Sequence, residues 1–147
     1  MPVNPADRQL NDEELIALFS EPAHLPDRLI PALLYDGGVD QRSIPLIKQR
    51  VDIFITTVHE QGLTAEPSDF RILAAARRQA LTLVVEDQAF REHIPDRLGR
   101  LGLSHAGIIL VKKYLPPQRL CDFIEMGYRR CVDKDTNIFT GRLWEVR

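Results

Sequence analysis

Hydrophobic and polar positions along this chain switch repeatedly between two periods. Near the N-terminus, Leu15, Leu18 and Phe19 form one apolar edge at helical spacing. Asn11 precedes them as a cap, and Asp12, Glu13 and Glu14 occupy the first turn, favourable beside the positive end of the helix dipole. Pro22 and Pro26 interrupt the chain beyond this helix, so residues 1–30 read as an N-terminal helical extension. From Pro31 onward short apolar runs alternate with amphipathic stretches. The runs Ala32–Tyr35, Ile53–Val58, Leu81–Val85, Gly107–Val111 and Arg142–Val146 are strand-length, and the first is closed by the turn signal Asp36-Gly37-Gly38.

Between these runs lie four helical segments. Ser43 is a candidate cap for a helix with Ile44, Ile47 and Val51 on one side and Pro45 in its first turn. Ser68 caps a second, with Phe70, Leu73, Ala76 and Ala80 at helical spacing. Residues 88–103 read as helical in pieces, broken by Pro95 and Gly99. Pro116-Pro117 opens the clearest helix, in which Leu120, Phe123, Ile124, Gly127, Tyr128 and Cys131 make one stripe. Strands joined through helices of this length form βαβ crossovers, hence a parallel sheet covered on both faces. The expected fold class is α/β, a three-layer α/β/α domain over residues 31–147.

Composition narrows the class without naming a function. The chain has 147 residues, 44% of them hydrophobic and 27% charged, the mixture of an ordinary packed domain. Its net charge of -2 disfavours a protein that holds nucleic acid by bulk electrostatics, but not one that touches a short single strand locally. Cys121 and Cys131 share one predicted helix, roughly 15 Å apart, too far to bridge. With no apolar leader and no run long enough to span a bilayer, the expected location is cytoplasmic and no membrane is involved. His24, His59, His93 and His105 show no zinc spacing, and no phosphate-cradling Gly-x-x-x-x-Gly-Lys loop is present.

The acids are more informative. In a parallel sheet every strand-to-helix turn lies along one edge, where ligands bind. Asp36 ends the first strand, Asp87 ends the third, and Asp69 opens the helix after the second, so all three belong to that edge. Carboxylates gathered there repel one another unless a cation sits between them, and oxygen-only ligation suits Mg²⁺ or Mn²⁺. Taken singly, each has a structural explanation: Asp69 suits a helix first turn, and Asp36 precedes two glycines as a turn residue. A phospho-receiver domain would use Asp36 or Asp87 as acceptor, but the paired acids expected at the end of its first strand are missing.

Four segments carry a family resemblance: Leu33-Leu34-Tyr35-Asp36, Pro67-Ser68-Asp69-Phe70-Arg71-Ile72-Leu73, Leu83-Val84-Val85-Glu86-Asp87-Gln88-Ala89-Phe90 and His105-Ala106-Gly107-Ile108-Ile109-Leu110. In this order, with His59-Glu60-Gln61-Gly62-Leu63 between the first two, they resemble the short prokaryotic PIN-like domains over residues 31–146. The resemblance implies a metal-dependent endoribonuclease that cuts single-stranded RNA, in many cases the toxin of a toxin–antitoxin pair. It assigns metal binding and catalysis to Asp36, Asp69 and Asp87; Glu86, Glu60 and Asp40 are this sequence's own candidates for auxiliary acids. An antitoxin protein is the implied partner, and a homodimer is a plausible assembly. The chain departs from the family pattern at Gly37 and Ala89, where acids are usual, and at Val85, where threonine is usual. Those departures, with the added N-terminal helix, motivate the alternative of a catalytically weakened PIN-like fold acting as a protein-binding module.

Overall fold

The computed structural model describes residues 5–23, 29–86 and 88–147; Asp87, His24 and Pro26 lie outside the described residues. The elements run α1 (Pro5–Arg8), α2 (Asp12–Ser20), β1 (Leu33–Tyr35), α3 (Ser43–Arg50), β2 (Ile55–Thr57), α4 (Asp69–Arg78), β3 (Thr82–Val85), α5 (Gln88–Arg100), β4 (Ile108–Val111), α6 (Pro117–Lys134) and β5 (Leu143–Val146). All four strand pairs are parallel, in the order β2-β1-β3-β4-β5. Every strand anticipated from the apolar runs is present, one to three residues shorter than its run. Ladder hydrogen bonds stop before the apolar pattern does.

Alternation along the strands divides the core into two. Leu34, Leu83, Val85 and Ile108 face one side, where they pack with Phe70 and Leu73 of α4, Phe90, Ile94 and Leu98 of α5, and Leu15 and Phe19 of α2. Leu33, Tyr35, Val84, Ile109 and Val111 face the other, under Ile47 of α3 and Leu120, Ile124 and Cys131 of α6. The result is a three-layer α/β/α fold. The N-terminal helix spends its apolar edge on this core, with Leu15 and Phe19 buried. Asn11 caps it as anticipated, and the structure adds a reciprocal bond that completes a capping box: Asn11 Oδ1 accepts from the Glu14 amide at 2.8 Å and Glu14 Oε1 accepts from the Asn11 amide at 3.4 Å.

The crossovers do not all have one hand. The β2–α4–β3, β3–α5–β4 and β4–α6–β5 units all step the same way along the sheet, yet α6 lies on the face opposite α4 and α5. The β1–α3–β2 unit reverses both direction and face, so it shares the hand of the α4 and α5 units. Right-handed crossovers dominate so heavily that β4–α6–β5 is the left-handed one. Coverage explains it: α3 cannot shield Val84, Ile109 and Val111 as well as β1 and β2, and the opposite face already carries three helices. Phe139 then locks the return to β5. A Cβ on Gly127 would overlap its ring and a Cβ on Gly107 its carbonyl, so both positions need glycine.

Two local expectations are corrected. Ser43 is not a cap: Arg42 holds the cap position without a side-chain bond, and the buried Ser43 hydroxyl is 2.8 Å from the Tyr35 hydroxyl and donates to Asp40 O at 3.1 Å. A buried phenol must find a partner, and Ser43 supplies it. Nor is residues 88–103 helix in pieces. One helix, α5, runs through Pro95. Phe90, Ile94 and Leu98 anchor it on the core, each worth about 1.5–3 kcal/mol of burial, which outweighs the ~3 kcal/mol cost of an interior proline.

Candidate functional site

The sheet's carboxyl edge carries the candidate site, and its strand order marks where along that edge. From β1 the chain leaves toward β2 through α3, and from β3 it leaves toward β4 through α5, on opposite faces. The crevice between β1 and β3 is therefore the topological switch point, the position where open α/β sheets bind ligands. Asp36 stands on it. Its amide donates to Val84 O at 2.9 Å, and its carbonyl accepts from the Val39 amide at 3.1 Å. The carboxylate-bearing residue is half-buried, and pleat alternation beyond Tyr35 continues toward the side of α4 and α5. Nothing described lies within 4 Å of a Cβ built on Gly37 or Gly38, so the ledge beside Asp36 is open.

Asp69 reaches the same edge by a different route. Because α4 returns the chain from the end of β2 to the start of β3, its first residue sits at the carboxyl edge. Ser68 holds that first turn, accepting from the Arg71 amide at 3.3 Å. A residue missed in the sequence then holds Ser68. Asp7 of the N-terminal arm, 3% exposed, accepts from Ser68 Oγ at 2.7 Å and from the Phe70 amide at 3.3 Å. Its carboxylate thus satisfies a donor of the first turn of α4 and complements its dipole. Arg97 of α5 clamps the arm, donating to Leu10 O at 2.6 Å and Asp12 Oδ1 at 3.1 Å while lying over the Phe70 ring. No local pattern in Pro5-Ala6-Asp7-Arg8 announces this role, because its partner is 61 residues away.

The auxiliary acids are placed differently. Glu86 follows β3 directly and is half-buried. Glu60 is exposed and turns back on its own loop, its Oε1 accepting from Thr57 Oγ1 at 3.3 Å. Asp40 is engaged by the Arg42 guanidinium at 2.9 and 3.0 Å, and that hydrogen bonding holds its carboxyl below the ordinary range. Asp36, Asp69 and Glu86 therefore share the edge, and Asp40 and Glu60 hydrogen-bond within their own loops. Among the described residues no three His, Cys, Asp or Glu side chains make a metal cage, and Asp87, the third expected member, lies outside them.

Two other titratable groups have structural roles. His105 sits at the opposite edge, before β4, where burial pushes its pKa down to about 4 and Nδ1 accepts from the Gly107 amide at 3.0 Å. Burial likewise raises the Tyr35 phenol to about 12, so it stays protonated against Ser43. Among the described residues no helix is long and apolar enough to cross a membrane. No family model, curated protein or solved structure matches this chain.

Proposed function

We propose that this protein is a PIN-like, metal-dependent endoribonuclease acting on single-stranded RNA at the carboxyl edge of its sheet. The observation that carries the reading is the position of Asp36 at the β1/β3 switch point, with Asp69 delivered to the same edge by α4. Asp36, Asp69 and Asp87 would hold Mg²⁺ or Mn²⁺, hard ions suited to an all-oxygen donor set. When bound, such an ion polarises a phosphoryl oxygen and acidifies a water. The chain's own contribution is placement. The ladder bond of Asp36 to Val84 fixes the backbone that carries one carboxylate, and the Asp7–Ser68 brace fixes the helix turn that carries the other. The open ledge at Gly37 and Gly38 leaves room for a phosphodiester beside Asp36.

The binding-module alternative loses one of its supports, since the N-terminal helix buries its apolar edge within the domain. An antitoxin partner remains part of the proposal by resemblance alone, and a cytoplasmic setting from the sequence pattern alone. The test is cleavage of labelled single-stranded RNA with Mn²⁺, beside a chelator control and Asp36→Asn. Cleavage should need the metal and fall on the order of 100-fold or more in the variant, at least the effect of losing a metal site's outer-shell partner. Metal-dependent cleavage that survives Asp36→Asn refutes the assignment. A folded protein with no cleavage over a broad set of RNAs favours the binding module.

A further inference from the structure

Beyond β4 the same edge carries a feature that folding does not explain. Lys112 keeps the sheet ladder, its amide donating to Val146 O at 2.9 Å, and its carbonyl accepts from the Leu115 amide at 3.0 Å, closing a tight turn. Tyr114 occupies the third position of that turn at φ +66°, a backbone conformation that suits glycine and costs about 1–2 kcal/mol in any other L-residue. Its side chain recovers nothing by burial, because Tyr114 is 86% exposed, more than any other large hydrophobic residue described as exposed. Lys113 Nζ lies 5.2 Å from the ring centroid, and neither Lys112 nor Lys113 forms a salt bridge among the described residues. Two further cations at this end of the sheet are engaged: Arg147 is paired with Glu145 at 2.8 Å, and Arg119 donates to the Arg147 carbonyl. The turn is stiff, held by the ladder before it and by Pro116-Pro117 after it.

We propose that Tyr114, with Lys112 and Lys113, is a stacking platform for a base of single-stranded RNA that runs along the carboxyl edge toward Asp36. A solvent-facing ring on a stiff turn beside cations without a salt-bridge partner is the arrangement that holds single strands without reading their sequence. Strain at an exposed functional ring is a recognised place for it to be stored. Two strand spacings and two residues of rise separate Asp36 from Lys112, roughly 12 Å, so one short strand can touch both. The choice of RNA as ligand rests on the nuclease reading; the platform itself rests on Tyr114 and the lysines.

Fluorescence anisotropy of a labelled single-stranded oligouridine, with the full chain in chelator, tests it without cleavage. Tyr114→Gly should weaken binding about 10-fold, within the roughly 5- to 150-fold expected for one stacked base, and should not lower the melting temperature. Tyr114→Phe, which keeps the ring, should bind within about 2-fold of the parent. Lys112→Gln and Lys113→Gln should each flatten the plot of log affinity against log salt by about 0.7. Unchanged binding in Tyr114→Gly, no binding by the parent, or duplex RNA equally sensitive to Tyr114 overturns the proposal. Tyr114-dependent binding without Mn²⁺-dependent cleavage refutes the nuclease reading and leaves the platform. Asp36-dependent cleavage with Tyr114-independent binding does the reverse.

Discussion

Replacing Asp7 with alanine tests whether the N-terminal arm is a working part of the domain. Asp7 and Ser68 are 3% and 2% exposed, so the variant leaves the buried Ser68 hydroxyl and the Phe70 amide without their acceptor. A buried donor left unpaired costs about 1–3 kcal/mol, and a bond to a charged acceptor is at the upper end. Two are lost, but removal also relieves the burial of a carboxylate, and Ser68 Oγ still accepts from the Arg71 amide. The net expectation is about 2–4 kcal/mol. Asp7→Asn retains an acceptor oxygen and gives up the charge, so it should cost about 1 kcal/mol. Urea unfolding of both variants measures the two losses, with midpoints falling at unchanged m. Amide exchange supplies the local readout: the Phe70 amide should lose protection in Asp7→Ala while amides of α6 follow only the global stability. An alanine variant within about 0.5 kcal/mol of the parent would mean that the arm does not brace α4.

Gly127→Ala drives a methyl into the Phe139 ring and should cost about 1–3 kcal/mol, most of it recovered when Phe139→Leu is added in the same chain; thermal unfolding of the two variants measures the coupling. His105 gives a pH signature of defined sign. Burial lowers its folded pKa to about 4 from 6.5, so the unfolded chain binds the extra proton first as pH falls. The stability contributed by neutral His105 is complete above pH 6.5 and drains away down to about 4, amounting to about 3 kcal/mol. Urea midpoints across that window should fall less steeply in His105→Asn, which keeps an acceptor for the Gly107 amide. Equal slopes in the two proteins would contradict this.

The class of the fold was legible because it is encoded locally. A five-strand parallel sheet follows from apolar runs separated by amphipathic helices, and the capping of α2 by Asn11, of α4 by Ser68 and the start of α6 at Pro117 are all near-neighbour effects. The placement of Asp36 and Asp69 on one edge was legible for a related reason. In an all-parallel sheet the edge a turn occupies depends only on whether a strand precedes or follows it. The strand order that makes β1/β3 the switch point, the reversed hand of β4–α6–β5 and the left-handed turn at Tyr114 were not. Order and hand follow from which face still needs cover once other helices are in place, and that depends on the whole assembly. Ser43 and Pro95 show the same competition at single residues: the partner demanded by Tyr35 and the burial of Phe90, Ile94 and Leu98 override local preference. Asp7 is the clearest case. In sequence it is one acid in a polar arm, and only when chain far away brings Ser68 and Phe70 against it does a buried carboxylate have the donors that let it stay buried.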